Sequence, residues 1–188
     1  MAVIISLLRG VNVGGHRKIK MDELRALYEA LGCGDVKTYV QSGNVVFTIK
    51  DRDAPAIRER IEKAIDRKFG FHADVIVRTA TEMRDVIARN PFAKREDIEP
   101  NKLLVSFLAA QPSEEIRKRI EAIAAPHPEE VHISGREMYI YFTNGMARPK
   151  LPPAQVDRAL GMASTGRNWN TVTKLLEMAE ALGAEFST

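Results

Sequence analysis

A single cysteine, Cys33, leaves this 188-residue chain unable to form an intramolecular disulfide, which excludes a small secreted scaffold held by bridges. A reducing, cytoplasmic setting is the expectation. Long hydrophobic runs are missing as well. The one apolar stretch near the start, Ala2 to Leu8, has no basic segment before it and no small-residue cleavage site after it. It is also far short of the roughly 20 apolar residues that cross a bilayer, so it reads as a buried strand and no membrane is expected as a partner. The four histidines, His16, His72, His127 and His132, are scattered, with no H-E-x-x-H and no cysteine pair, so no metal site is expected. Aromatics make up only 6% of the chain, and the net charge of +3 is too small to announce a nucleic-acid binder.

What is present is an ordinary globular mixture, 45% apolar and 28% charged, in a length that suits one large domain or two small ones. The charge is unevenly distributed. Arg9, Arg17, Lys18 and Lys20 give +4 with no acid between residues 9 and 20. Arg148, Lys150, Arg158, Arg167 and Lys174, against Asp157, give another +4 between residues 144 and 174, which leaves the rest of the chain at −5. Two basic stretches far apart in sequence would form an anion site if they met.

Periodicity supplies the elements. Residues 2–8 read as a strand, followed by a glycine-rich basic loop ending near Lys20. Met21, Leu24, Leu27, Tyr28 and Leu31 then fall at helical spacing until Gly32 and Gly34 stop the helix. Strands over 36–40 and 45–49 flank Gln41-Ser42-Gly43-Asn44 as a hairpin, an amphipathic helix covers 56–69, and a strand covers 73–78. The order is βαββαβ, the ferredoxin-like arrangement. After a connecting helix over 81–89 and a break at Asn90-Pro91, a strand (102–109), a helix (112–124) and a hairpin around Gly135-Arg136 repeat the pattern, followed by a C-terminal helical region. The expectation is therefore an α+β protein of two ferredoxin-like halves with antiparallel sheets. Residues 1–90 form a βαββαβ half with its connecting helix, and residues 101–188 form a βαββα half with a helical tail. Both hairpins contain a Ser-Gly pair, Ser42-Gly43 and Ser134-Gly135, which hints at duplication.

Three stretches carry candidate chemistry. In Leu8-Arg9-Gly10-Val11-Asn12-Val13-Gly14-Gly15-His16-Arg17-Lys18 the glycines let backbone N–H groups turn toward a ligand while the cations supply charge, the makings of an anion nest. Gly10 and Gly15 have P-loop spacing, but His16-Arg17 stand where that motif needs Lys and then Ser or Thr, so a Walker-type nucleotidase is excluded. A glycine-rich surface loop with solvated charges fits the same residues. Gln41, Ser42 and Asn44 offer hydrogen-bonding groups, yet Ser42 lacks the neighbouring base of a nucleophile, and a plain hairpin turn is the simpler reading. In Thr165-Gly166-Arg167-Asn168-Trp169-Asn170-Thr171-Val172, Asn168, Asn170 or Thr171 can cap a helix with no acid before Glu177, and Arg167 precedes the cap on a glycine. Trp169 as a core anchor and Arg167 paired inside the protein is the competing account. Tyr139 and Tyr141 alternate onto one strand face as a base-stacking platform requires, although no RNP1 pattern surrounds them. Glu129, Glu130 and Glu137 read as solvated charges around the second hairpin.

Those three stretches, in this order, closely resemble the bacterial domain-of-unknown-function family 1697, DUF1697. Lys150-Leu151 resembles a fourth, with Pro149 where that family carries serine. The resemblance covers nearly the whole chain and implies a duplicated α+β fold. It implies no activity, because the family is uncharacterised. The residues favour binding of an anionic ligand, a phosphorylated small molecule or nucleotide, in a cleft between the halves. Arg9 and Arg167 would hold the anion, Gly10, Gly14 and Gly15 would supply backbone donors, and Asn12, Gln41, Ser42, Asn44, Asn168 and Asn170 would select the rest. The alternatives are a nucleic-acid binding module and a protein-interaction module without a ligand; no nucleophile or carboxylate pair argues for turnover.

Overall fold

The apolar run near the start becomes the first strand, β1 (Ala2–Leu8), of a computed structural model that describes residues 1–185, so the last three positions of the expected 101–188 half lie outside the described residues. There follow α1 (Met21–Ala30), β2 (Gly34–Tyr39), β3 (Asn44–Ile49), α2 (Ile57–Phe69), β4 (Val75–Thr79) and α3 (Ala80–Ala88). Then come β5 (Leu103–Leu108), α4 (Glu114–Ala124), β6 (Glu130–Ser134), β7 (Glu137–Tyr141), α5 (Pro153–Leu160), β8 (Ser164–Asn168) and α6 (Trp169–Glu185). The strands form two four-stranded antiparallel sheets, ordered β2-β3-β1-β4 and β6-β7-β5-β8, the ferredoxin-like order in each half. Among the described residues, Met1–Asp85 with 174–185 make one compact unit, and Val86–Thr173 make a second.

The helical spacings have the expected consequence. Ile57, Ile61 and Ile65 place one face of α2 in the core of the first unit, beside Leu24, Leu27 and Tyr28 of α1 and Ile4, Leu8, Val45 and Phe47 of the sheet. Each fully buried isoleucine contributes about 1.5–3 kcal/mol of transfer free energy. The Tyr28 hydroxyl shares a 2.7 Å hydrogen bond with Ser6 Oγ, which satisfies both buried hydroxyls and fixes α1 on the sheet. In the second unit Ile120 and Ala124 of α4 and Val156, Ala159 and Leu160 of α5 pack with Leu108, Met138 and Ile140 of the sheet. Ser113 caps α4, its Oγ accepting from Ile116 N.

Strand β8 corrects the expected βαββα order of the second half. Ser164-Thr165-Gly166-Arg167-Asn168 has almost none of the β-branched or aromatic residues that signal a strand, and it forms because its backbone pairs along β5 from Leu108↔Ser164 to Leu104↔Asn168. Gly166 suits the position because a Cβ there would lie 3.0 Å from Leu104 Cδ2.

The register shows how deep the duplication runs. Ile5 pairs with Val46 on one side and Arg78 on the other, and Val105 likewise pairs with Tyr139 and Arg167. Ser6 and Ser106, Arg78 and Arg167, and Thr79 and Asn168 are therefore equivalent positions. Both arginines are buried, and each donates from Nη1 to the carbonyl just before it, Val77 O and Gly166 O, at 2.9 Å. Each then leads straight into a helix: Thr79 and Glu82 form a reciprocal capping box on α3, and Asn168 Oδ1 accepts from Asn170 N on α6. The repeat is thus βαββαβα, with the connecting helix and the C-terminal helix as counterparts. The Ser-Gly pairs are not part of it. Leu8 N bonds Gly43 O and Leu108 N bonds Arg136 O, so Gly43 matches Arg136 and the dipeptides stand one residue out of step. One asymmetry is large: residues 9–20 separate β1 from α1, whereas only residues 109–113 separate β5 from α4.

Cys33 is buried against this first core, and burial raises its thiol to about 11 despite the opposing field of Arg60. At pH 8 only about one molecule in a thousand would be thiolate, against roughly a quarter for an exposed cysteine. Ellman's reagent is therefore expected to label the native protein at least 100-fold more slowly than the urea-unfolded chain. Equal rates would show that Cys33 is not in the core.

Candidate functional site

The 9–20 loop is an ordered hook. Val11 and Ile19 are buried legs that anchor it in the core, while residues 13–18 stand exposed. Asn12, at φ +56°, closes the hook: its backbone N–H donates to Arg17 O, its Oδ1 accepts from Ile19 N, and its Nδ2 donates to both Ile19 O and Gln41 O. Asparagine tolerates this left-handed conformation better than most residues, and its amide is fully engaged in shaping the loop. Gly14 and Gly15 both have positive φ at the tip, where His16 N turns back onto Val13 O. Arg17 lies 6.0 Å from the centre of the Phe71 ring, and its Nη1 is 3.6 Å from where a Cβ on Gly10 would be.

The 41–44 turn meets this hook. Besides the bond from Asn12 to Gln41 O, Leu8 N donates to Gly43 O. Asn44 is buried, its Nδ2 donating to Tyr39 O and Ser42 Oγ, so Asn44 and Ser42 hold the turn together. Val40, exposed and β-branched, sits at φ +49° beside them, an uncommon conformation for its type. Under the hook lies a cavity of about 600 Å3 lined by Asn12, Gly15, Lys18, Ile19, Lys20, Met21, Asp22, Glu23 and Gln41. Lys18 and Lys20 are outside the ligand-binding candidates of the sequence, and their signal there is the run of +4 between residues 9 and 20. Arg9 stands at the loop's start with Nη1 3.9 Å from Asp74 Oδ2, and Asp74 Oδ1 is 3.1 Å from His72 Nε2.

Of the candidate residues, Arg9, Gly10, Asn12, Gly14, Gly15, Gln41, Ser42 and Asn44 belong to the first unit and are brought together by the hook and the turn. Arg167, Asn168 and Asn170 belong to the second. Arg167 lies on β8, buried, with Nη1 bonded to Thr165 Oγ1 at 2.7 Å and to Gly166 O; burial pulls its guanidinium down to about 10. Asn168 donates to Asn101 O and caps α6, the role its type predicted. Tyr139 and Tyr141 are buried, with their hydroxyls donating to Val86 O and Asp97 O, so neither is a stacking surface for bases. Glu129 and Glu137 are buried too, contrary to the solvated reading. Glu129 accepts from the backbone N–H groups of Lys150 and Leu151, and Glu137 pairs with Arg89 at 2.9 Å. Among the described residues no helix is long and apolar enough to cross a membrane.

Comparison with known proteins supports the fold and is silent on chemistry. The conserved bacterial protein SP0830 from Streptococcus pneumoniae has a similar solved structure, with a TM-score of 0.64 at 21% identity over 95% of this chain and 98% of that one. An unknown protein from Galdieria sulphuraria is a more distant match, at 10% identity over 96% and 91% of the two chains with a TM-score of 0.27, too low to support any argument. No functionally curated protein matches. The family model described as a protein of unknown function, DUF1697, matches residues 1–139, well over half of the chain, and the chain belongs to that family.

Proposed function

We propose that the first unit binds a small anionic molecule, a sugar phosphate or nucleotide, in the cavity beneath the 9–20 hook. The observation that carries this reading is that Lys18 and Lys20 line one cavity of about 600 Å3 together with Gln41 and the engaged amide of Asn12. That volume suits a phosphorylated metabolite. The hook is ordered before any ligand arrives, so less conformational entropy is lost on binding. It is also the main feature the second half lacks, and an element outside the repeated scaffold is where an added activity is expected to sit. Asp22 and Glu23, on the same cavity wall, suit hydroxyl or amino groups of the ligand and disfavour a second phosphate beside them.

Thermal shift at low salt tests it, with inorganic phosphate, ribose 5-phosphate and AMP as probes. A probe present at 100 times its Kd stabilises the folded protein by about 2.7 kcal/mol, a rise of several degrees. The double variant Lys18→Ala/Lys20→Ala is expected to keep its own melting temperature, since both side chains are on an exposed loop, and to lose the response. A shallow salt dependence is expected as well, unlike the steep loss that many phosphate contacts with a nucleic-acid strand would give. No rise with any of the three probes, or a rise that persists in the double variant, overturns the reading.

A further inference from the structure

The cavity beneath the hook is lined by residues of both signs, and the two acids on its wall are not equivalent. Asp22 is already matched: its carboxylate lies 3.3 Å from Arg25 Nη2, and its side chain is 91% exposed. Glu23 is different. Among the described residues its carboxylate makes no ion pair and no hydrogen bond, and the same is true of the Lys18 and Lys20 ammonium groups. Lys20 and Glu23 stand three residues apart at the start of α1, a spacing at which opposite charges pair readily, yet they do not pair. Glu23 is the third residue of that helix. Its carbonyl points along the helix toward the C-terminus, where Lys68 Nζ reaches it at 3.3 Å, while helical Cα–Cβ bonds tilt toward the N-terminus. The N-terminal side is the side of Lys18, Ile19 and Lys20, so it is the Glu23 side chain that reaches the cavity.

With Asp22 matched by Arg25, two open ammonium groups and one open carboxylate leave the lining with a single net positive charge. A neutral sugar carrying a phosphate monoester brings about −1.5 to −2 and sets some of that charge near Glu23. The same ester with a protonated amine brings about −0.5 to −1, which matches the lining more closely. The amine also gives Glu23 a charge-assisted donor. We infer, resting on the anion reading of this cavity, that its ligand is a zwitterion: a phosphorylated amine of the amino-sugar phosphate class, with its phosphate on Lys18 and Lys20 and its ammonium on Glu23. The wall acid that looks adverse to an anion thereby becomes the group that selects among phosphorylated molecules.

Glucose 6-phosphate and glucosamine 6-phosphate differ only in one hydroxyl exchanged for an amine. Calorimetric titration of both at low salt and slightly acidic pH, where the amine is protonated, is the test. Glucosamine 6-phosphate is expected to bind about tenfold more tightly. Glu23 is exposed and glutamine suits a helix as well as glutamate does, so Glu23→Gln should fold normally and bring the two affinities to within about twofold of each other. Glu59→Gln removes the same charge from an exposed site near the start of α2, where Glu59 pairs with Lys63, and should keep the parent's preference. Equal affinities of the parent for the two sugars overturn the amine assignment and leave the anion reading standing. A preference that survives Glu23→Gln overturns it too, because some other group then recognises the amine. Binding of neither sugar phosphate overturns both readings at once.

Discussion

Gly43→Ala is expected to destabilise the protein by about 2–5 kcal/mol, a fall in Tm on the order of 5–15 °C. Two effects add. At φ +79° an L-residue meets a left-handed conformation that costs about 1–2 kcal/mol. The new methyl would also lie 2.7 Å from both Leu8 Cβ and Val11 Cγ2, and neither can retreat, because both are buried in the first core. Overpacking of that kind adds about 1–3 kcal/mol. Gly15→Ala is the control: φ is +77° there but a Cβ has nothing within 4 Å, so only the conformational cost applies. Equal losses in Tm for the two variants would show that Leu8 and Val11 do not approach the turn. The result also bears on the hook, since Val11 is one of its buried legs, and a shifted Val11 would carry Asn12 and its bonds with it.

Much of this architecture was legible because it is written in apolar periodicity. Ile57, Ile61 and Ile65 can bury only one helical face, and alternation around the 41–44 turn can form only a hairpin, so seven of the eight strands follow from pattern. Strand β8 was illegible for the converse reason: its sequence is polar, and the partner that makes it a strand, β5, lies some 60 positions earlier. The same holds for Glu129. A carboxylate in a polar run looks solvated, and nothing local reveals that the backbone of Lys150 and Leu151 needs it. At the candidate site, residue type and spacing single out the stretches but not what each polar side chain bonds to. The amides of Asn12 and Asn44 shape the loop and the turn by donating to carbonyls, and Lys18 and Lys20, visible only as a charge excess, line the cavity beside Asn12. Polar side chains are ambiguous in this way because one amide serves a backbone or a ligand equally well, and only the fold decides which gets it.

Arg167 is where the structural and functional accounts separate most sharply, and its truncation is expected to be felt in folding. Arg167→Ala removes a buried side chain that donates to Thr165 Oγ1 and Gly166 O, losing two hydrogen bonds from a charged group at about 1.5–3 kcal/mol each and leaving a void besides. A loss of about 3–5 kcal/mol follows, large against the total stability of about 5–15 kcal/mol typical of a domain. Arg167→Met keeps most of the volume and removes the desolvation cost that pulls the guanidinium down to about 10, so it should lose less than half as much. Because Arg78 occupies the equivalent register position and makes the equivalent bond to its preceding carbonyl, Arg78→Ala should behave alike. Urea unfolding of the three variants decides it. Parallel losses for the two alanine variants, with partial rescue by methionine, would make the arginines matched supports of a duplicated scaffold. An Arg167→Ala protein as stable as the parent would instead show that this side chain does not support the scaffold.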